Sequence, residues 1–164
     1  MKVGNYRIGK DVYEIENELR EVSASEYRIL GRSLKDEKIY HGRDVELLGA
    51  NWTVVIGVTG GRIYKVALQT EVISSVEASI KADLEHSGVW NNVLHALIDD
   101  YHAYTEQRRE GDSFLTIWDR EWGNIILTIT WIKTESVLEV HEVLDLSFTG
   151  HFPFKKARFW KKFL

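Results

Sequence analysis

The sequence predicts an α+β domain, a mostly antiparallel sheet packed against two central helices with a short helix near the N-terminus. Three observations carry this. β-like segments arrive in consecutive runs joined by short Gly-containing turns rather than alternating with helices. A long 3.6-residue apolar stripe occupies the middle of the chain. At 164 residues, with 44% hydrophobic and 28% charged side chains, the chain has the size and composition of one globular domain, assigned to 1–150.

The elements follow in order. Residues 3–8 suit a short strand. Asp11 with Glu14 three residues on has the form of a capping box, and Val12, Ile15, Leu19 and Val22 make one apolar stripe, so 11–22 reads as a short amphipathic helix. Short β candidates follow at 27–30, 38–40 and 45–48, separated by Gly31, Gly42 and Gly49. Trp52, Val54, Ile56 and Val58 then alternate with Thr53, Val55 and Gly57, the period of a strand, and 63–68 returns after Gly60-Gly61. Paired glycines between two β runs predict a type I′ hairpin, whose two central residues both need positive φ.

Ser74-x-x-Glu77 is a second capping box, followed by Val76, Ile80 and Leu84; Trp90, Val93, Leu94, Leu97, Ile98, Tyr101 and Tyr104 continue on one face. With Gly88 as a break and Arg108, Arg109 and Gly111 as a terminus, 74–109 reads as two helices. Beyond it, 114–118 alternates and 119–124 reads as a turn. Both faces of 125–132 are apolar or Thr, which predicts a central strand, and Leu138, Val140, Leu144, Leu146 and Phe148 line one face of a last strand.

Several chemistries are excluded or unsupported. Without cysteine there is no disulfide, thiolate zinc site or cysteine nucleophile. The N-terminal MKVGNYRIGKDVYE has no apolar core like that of a secretory signal, and the aliphatic runs are too short to span a bilayer, so a soluble cytoplasmic protein is expected. Residues 151–164 carry five of the 21 basic residues and no acid. That leaves 16 bases against 25 acids in 1–150, a net of −9. So acidic a body predicts no duplex nucleic acid as partner.

Four constellations remain. His95, Asp99, His102 and Glu106 would share one face of a continuous helix and have metal-ligand chemistry, but no H-E-x-x-H accompanies them and a solvated face is the preferred reading. Gly57-x-x-Gly60-Gly61 lacks the following helix a phosphate loop requires. Trp118 and Trp122 bracket a turn, as a protein-recognition surface or as cross-strand packing at a hairpin end. The tail interleaves its bases with aromatics, among them Phe159, Trp160, Lys161 and Lys162. It reads as a segment docked on its own domain, with a protein partner or weak membrane-surface contact as alternatives.

No Ser nucleophile elbow is present, and the neighbours Asp99 and Asp100 diverge by about 100° on a helix, too far for a facing acid pair. The functional expectation is therefore a noncatalytic protein-binding or regulatory module without cofactor, its partner an unidentified protein. The alternative is a small enzyme or ligand-binding protein with a His- and carboxylate-lined pocket between sheet and helices.

Overall fold

A computed structural model describes residues 3–23, 37–75, 87–133 and 139–150. A 3₁₀ helix, Val12–Glu18, leads into β1 (Arg20–Val22), β2 (Lys38–His41), β3 (Val45–Leu47), β4 (Ala50–Thr59) and β5 (Arg62–Ser75). One α-helix, α1 (Gly88–Tyr101), follows. The chain then returns to strands with β6 (Glu106–Glu110), β7 (Ser113–Arg120), β8 (Gly123–Lys133) and β9 (Glu139–Gly150). The nine strands form one sheet in the order β1-β2-β4-β5-β9-β8-β7-β6, with β3 beside β4. Every ladder is antiparallel.

The last strand in the chain is central in space. β9 pairs with β5 from Lys65↔Thr149 to Ser75↔Glu139, and with β8 from Gly123↔Gly150 to Lys133↔Val140. It thus joins the β1–β5 half to the β6–β8 meander and satisfies its own backbone on both edges. At the β4–β5 hairpin, Thr59 faces Arg62 and the two intervening glycines have φ of 56° and 76°, the signs a type I′ turn demands.

One face of the sheet carries the main core. Trp52, Val54 and Ile56 of β4, Leu68 of β5, Trp118 of β7, Ile125, Leu127 and Ile129 of β8, and Leu144 and Leu146 of β9 are all fully buried there. α1 covers this inner face with Trp90, Val93 and Leu97, at the spacing that makes a single stripe. Val12 and Ile15 of the 3₁₀ helix join the same cluster. On β8 the burial alternates strictly, so Ile126, Thr128 and Thr130 face outward and are only half-buried.

An α+β domain with two central helices does not hold. α1 is the only α-helix among the described residues and the sheet dominates. At 74–75 the chain still pairs with β9, so the backbone at Ser74 is strand rather than helix cap. The rest of the first expected helix, 76–86, lies outside the described residues, as does the strand expected at 27–30. The second helix begins at the expected break and stops early. Its backbone leaves helical geometry at His102, and 106–110 become a strand because each residue finds a partner on β7, from Glu106↔Ile117 to Glu110↔Ser113.

The N-terminal helix is likewise shorter than its stripe. Asp11 accepts from the backbone of Tyr13 at 3.0 Å and starts a 3₁₀ turn, while Arg20–Val22 leave the helix to pair with β2. No helix among the described residues is long and apolar enough to cross a membrane.

Candidate functional site

The inner face is mostly apolar, and among the described residues Glu142 is the one buried residue with an ionisable carboxyl group. Along β9 the inward positions run Val140, Glu142, Leu144, Leu146 and Phe148, and the carboxylate at 142 is only 4% exposed. β-strand alternation forces it there, because shifting the register by one residue would turn the whole apolar set outward. Its cross-strand neighbours are Val72 on β5 and Trp131 on β8.

The N-terminus of α1 meets this carboxylate. Ser87 is the N-cap, and its Oγ accepts from the backbone N–H of Trp90 at 3.1 Å. The Ser87 hydroxyl proton is therefore free to donate to Glu142, completing a chain from the helix backbone through Ser87 to the carboxylate. The other oxygen, Oε2, is buried and has no hydrogen-bond partner among the described residues.

Two opposing effects act on Glu142. Burial pushes its proton affinity up and dominates; the Ser87 hydrogen bond pulls it down. The positive end of the helix dipole adds to the second effect. The result is a carboxyl group whose proton affinity lies above the ordinary range, with one oxygen anchored and one uncommitted.

Two tryptophans belong to the elements that meet there, Trp131 opposite Glu142 on β8 and Trp90 in the first turn of α1. Trp90 packs edge-on against Phe114 of β7, the ring centroids 5.9 Å apart. The guanidinium of Arg109, on the fully exposed strand β6, lies 5.7 Å from the ring centroid of Trp131. This is cation–π geometry. Trp131 itself is half-buried and is the cross-strand neighbour of Glu142 in the β8–β9 ladder. Chemically, the arrangement offers an acceptor for a hydrogen-bond donor, or a proton acceptor of raised basicity, within an apolar aromatic surround.

The residues singled out in the sequence fall elsewhere. His95 and Asp99 are exposed on α1; His102 caps the helix outside its regular turns; Glu106 is on β6, bonded to Arg108. The four thus share no helix face, and among the described residues no group of three or more His, Asp or Glu is arranged to hold a metal ion. Trp118 is fully buried and donates its indole N–H to the His102 carbonyl at 2.9 Å. Trp122 is half-buried beside Tyr101, the centroids 6.5 Å apart. Phe159, Trp160, Lys161 and Lys162 lie outside the described residues.

Gly57 turns out to be a slot rather than a phosphate cradle. A Cβ there would sit 2.8 Å from the ring of Tyr64, whose hydroxyl donates to Glu37. His141 neighbours Glu142 in sequence but faces outward and bonds Glu71.

Glu142 and Ser87 are absent from the sequence-derived candidates. The one signal available was the charged residue interrupting the inward alternation between Val140 and Leu144; nothing local links it to Ser87. Comparison with protein-family models, with curated proteins and with solved structures finds no match.

Proposed function

We propose that this protein is a small-ligand-binding domain whose site lies on the helix-covered face of the sheet around Glu142. The observation that carries this reading is the buried, uncommitted Oε2 of Glu142. Leaving a buried acceptor unsatisfied costs about 1–3 kcal/mol, more for a charge, and folded proteins seldom retain such a group without a use for it. The Ser87 bond explains one oxygen as part of a helix cap; it does not explain the other.

A ligand that donates to Oε2 would recover the cost, and the aromatic rings of Trp90, Phe114 and Trp131 would supply apolar contact. This reading is preferred to the protein-binding module because Trp118, which together with Trp122 would form the recognition surface on the body, is committed to the core.

The test is a small-molecule fragment screen by thermal shift, run in parallel on the wild type and Glu142→Leu. Fragments that stabilise the wild type and leave the variant unaffected support the reading. A screen whose hits stabilise both proteins equally, or that yields none, overturns it.

A further inference from the structure

The face of the sheet turned away from α1 carries a second, smaller set of buried side chains. Ile39 of β2, Val55 of β4 and Ala67 of β5 pack together there, at 4%, 0% and 1% exposure, apart from the main core. The ladders extend the last two into one row across five strands: Val55↔Ala67, Ala67↔Ser147, Ser147↔Ile126 and Ile126↔Ile117. Ile117, at the β7 end, is 7% exposed. We propose that residues 151–164 of the same chain dock across this row, their aromatic side chains on its apolar residues and their bases toward the acids that border it.

The far end of the same face has the exposure of an open surface. Ile73 on β5 and Ile132 on β8 both face His141 in the ladders and are 58% and 48% exposed. Val55 and Ile117 point the same way and are sealed. Charged groups on either side of the row agree. Lys65 lies two residues before Ala67, and Asp145 two before Ser147, on the same face. Burial lowers the proton affinity of the Lys65 amine and raises that of the Asp145 carboxyl. On a bare sheet face water would surround both. The two described helices belong to the main core on the opposite face and do not supply the cover.

The place where the tail begins, and its length, make it the occupant. It leaves the central strand at Gly150, three residues past Ser147. On the inner side that exit is filled, since a Cβ on Gly150 would lie 2.5 Å from Cγ2 of Ile8. The chain from 151 to 164 reaches at most about 46 Å when extended, whereas the row spans about 19 Å at the spacing of adjacent strands.

Composition matches the surface. Phe152, Phe154, Phe159, Trp160, Phe163 and Leu164 supply apolar area for the row. The five bases of the tail, which has no acid, meet a body with 16 bases against 25 acids. Asp145 borders the row at its centre, and the exposed Asp119 borders it two residues past Ile117. Apolar burial anchors the segment, and the exposed charges orient it with a smaller contribution.

The experiment places one spin label on the full chain. With no native cysteine, Lys162→Cys takes a single nitroxide. Amide signals of Ala67, Ile126 and Ser147 should broaden relative to the same sample with the nitroxide reduced. Those of Asn92 and His95, on the exposed side of α1, should stay sharp. Adding Phe159→Ser and Trp160→Ser to the labelled chain should remove the broadening while the core signals of Leu127 and Leu144 keep their positions. Row signals untouched by the label overturn the proposal and leave the cover to another part of the chain. Broadening that survives the loss of both aromatics also overturns it. So does broadening in an isotope-enriched chain without nitroxide that is mixed with a nitroxide-bearing chain of natural isotope content, because the occupant would then be a second copy.

Discussion

The indole N–H of Trp118 donates to the carbonyl oxygen of His102 at 2.9 Å and so fixes where α1 ends. His102 has φ 63° and ψ −157°, a conformation that residues with a Cβ seldom adopt. Its amide still donates to Ile98 at 2.8 Å, so the strain sits in one residue held between the last helical turn and the β7 indole.

Replacing His102 with Gly should therefore stabilise the fold. The relief of strain, of order 1–3 kcal/mol, exceeds the extra chain entropy a glycine adds to the unfolded state, leaving a gain of about 1 kcal/mol. Urea unfolding of the two proteins measures it. A loss of stability would show that the imidazole makes contacts worth more than the strain.

Arg120 secures the same helix end. Its Nη2 donates to the carbonyls of Tyr101 and Ala103, and its Nη1 to that of Asp119. Arg120→Met should cost about 1–2 kcal/mol through the released carbonyls, discounted because the side chain is partly exposed. Combined with Trp118→Phe, the loss should be non-additive by at least about 0.5 kcal/mol, since both groups grip one turn. Amide exchange should quicken first at the last turn of α1, between Ile98 and His102. Strict additivity would mean that the two contacts are independent.

These contacts explain which parts of the fold could be read in the sequence. The Gly60-Gly61 hairpin is local: two residues of one type supply the two φ values that the turn needs. The strand character of 125–132 and the stripe from Trp90 to Tyr101 are equally local. The end of the helix is not, because Tyr104 and Arg108 continue a plausible helical pattern and only Trp118, Arg120 and the ladder to β7 break it. Nor does anything near β9 reveal that it lies between β5 and β8. The site shares this division. Glu142 is visible as a charged residue in an apolar alternation, whereas its Ser87 partner is brought to it only by the packing of α1 across the sheet.

Gly123 marks the closest approach within the sheet. It faces Gly150 across the β8–β9 ladder, and a Cβ built on it would lie 1.8 Å from the Thr149 carbonyl oxygen. That atom is backbone of the central strand and cannot rotate aside. Gly123→Ala should destabilise the protein by about 3 kcal/mol or more, at the upper end of overpacking costs. The substitution Gly111→Ala, in open space, meets only its positive φ and should cost about 1 kcal/mol. Thermal melts of the two variants side by side check the order, and equal losses would contradict the steric argument.

The pH dependence of stability follows from Glu142 and Asp145, both shifted upward by burial. Gln69 Nε2 opposes the shift at Asp145 from 2.9 Å, and Ser87 opposes it at Glu142. The folded protein thus binds these two protons more tightly than the unfolded chain does. Their contribution to stability is complete below the unfolded carboxylate values near pH 4 and is lost as pH rises through the higher folded ones. The wild type should accordingly lose stability over that interval relative to Glu142→Gln and Asp145→Asn, each of which flattens the profile. Glu142→Leu should go further and be more stable than the wild type at neutral pH without ligand, because it removes a buried acceptor that has one unmet bond. Denaturant titrations at a series of pH values measure both effects. If Glu142→Leu were destabilised at neutral pH, the carboxylate would be a structural partner of Ser87 rather than a group held in reserve for a ligand.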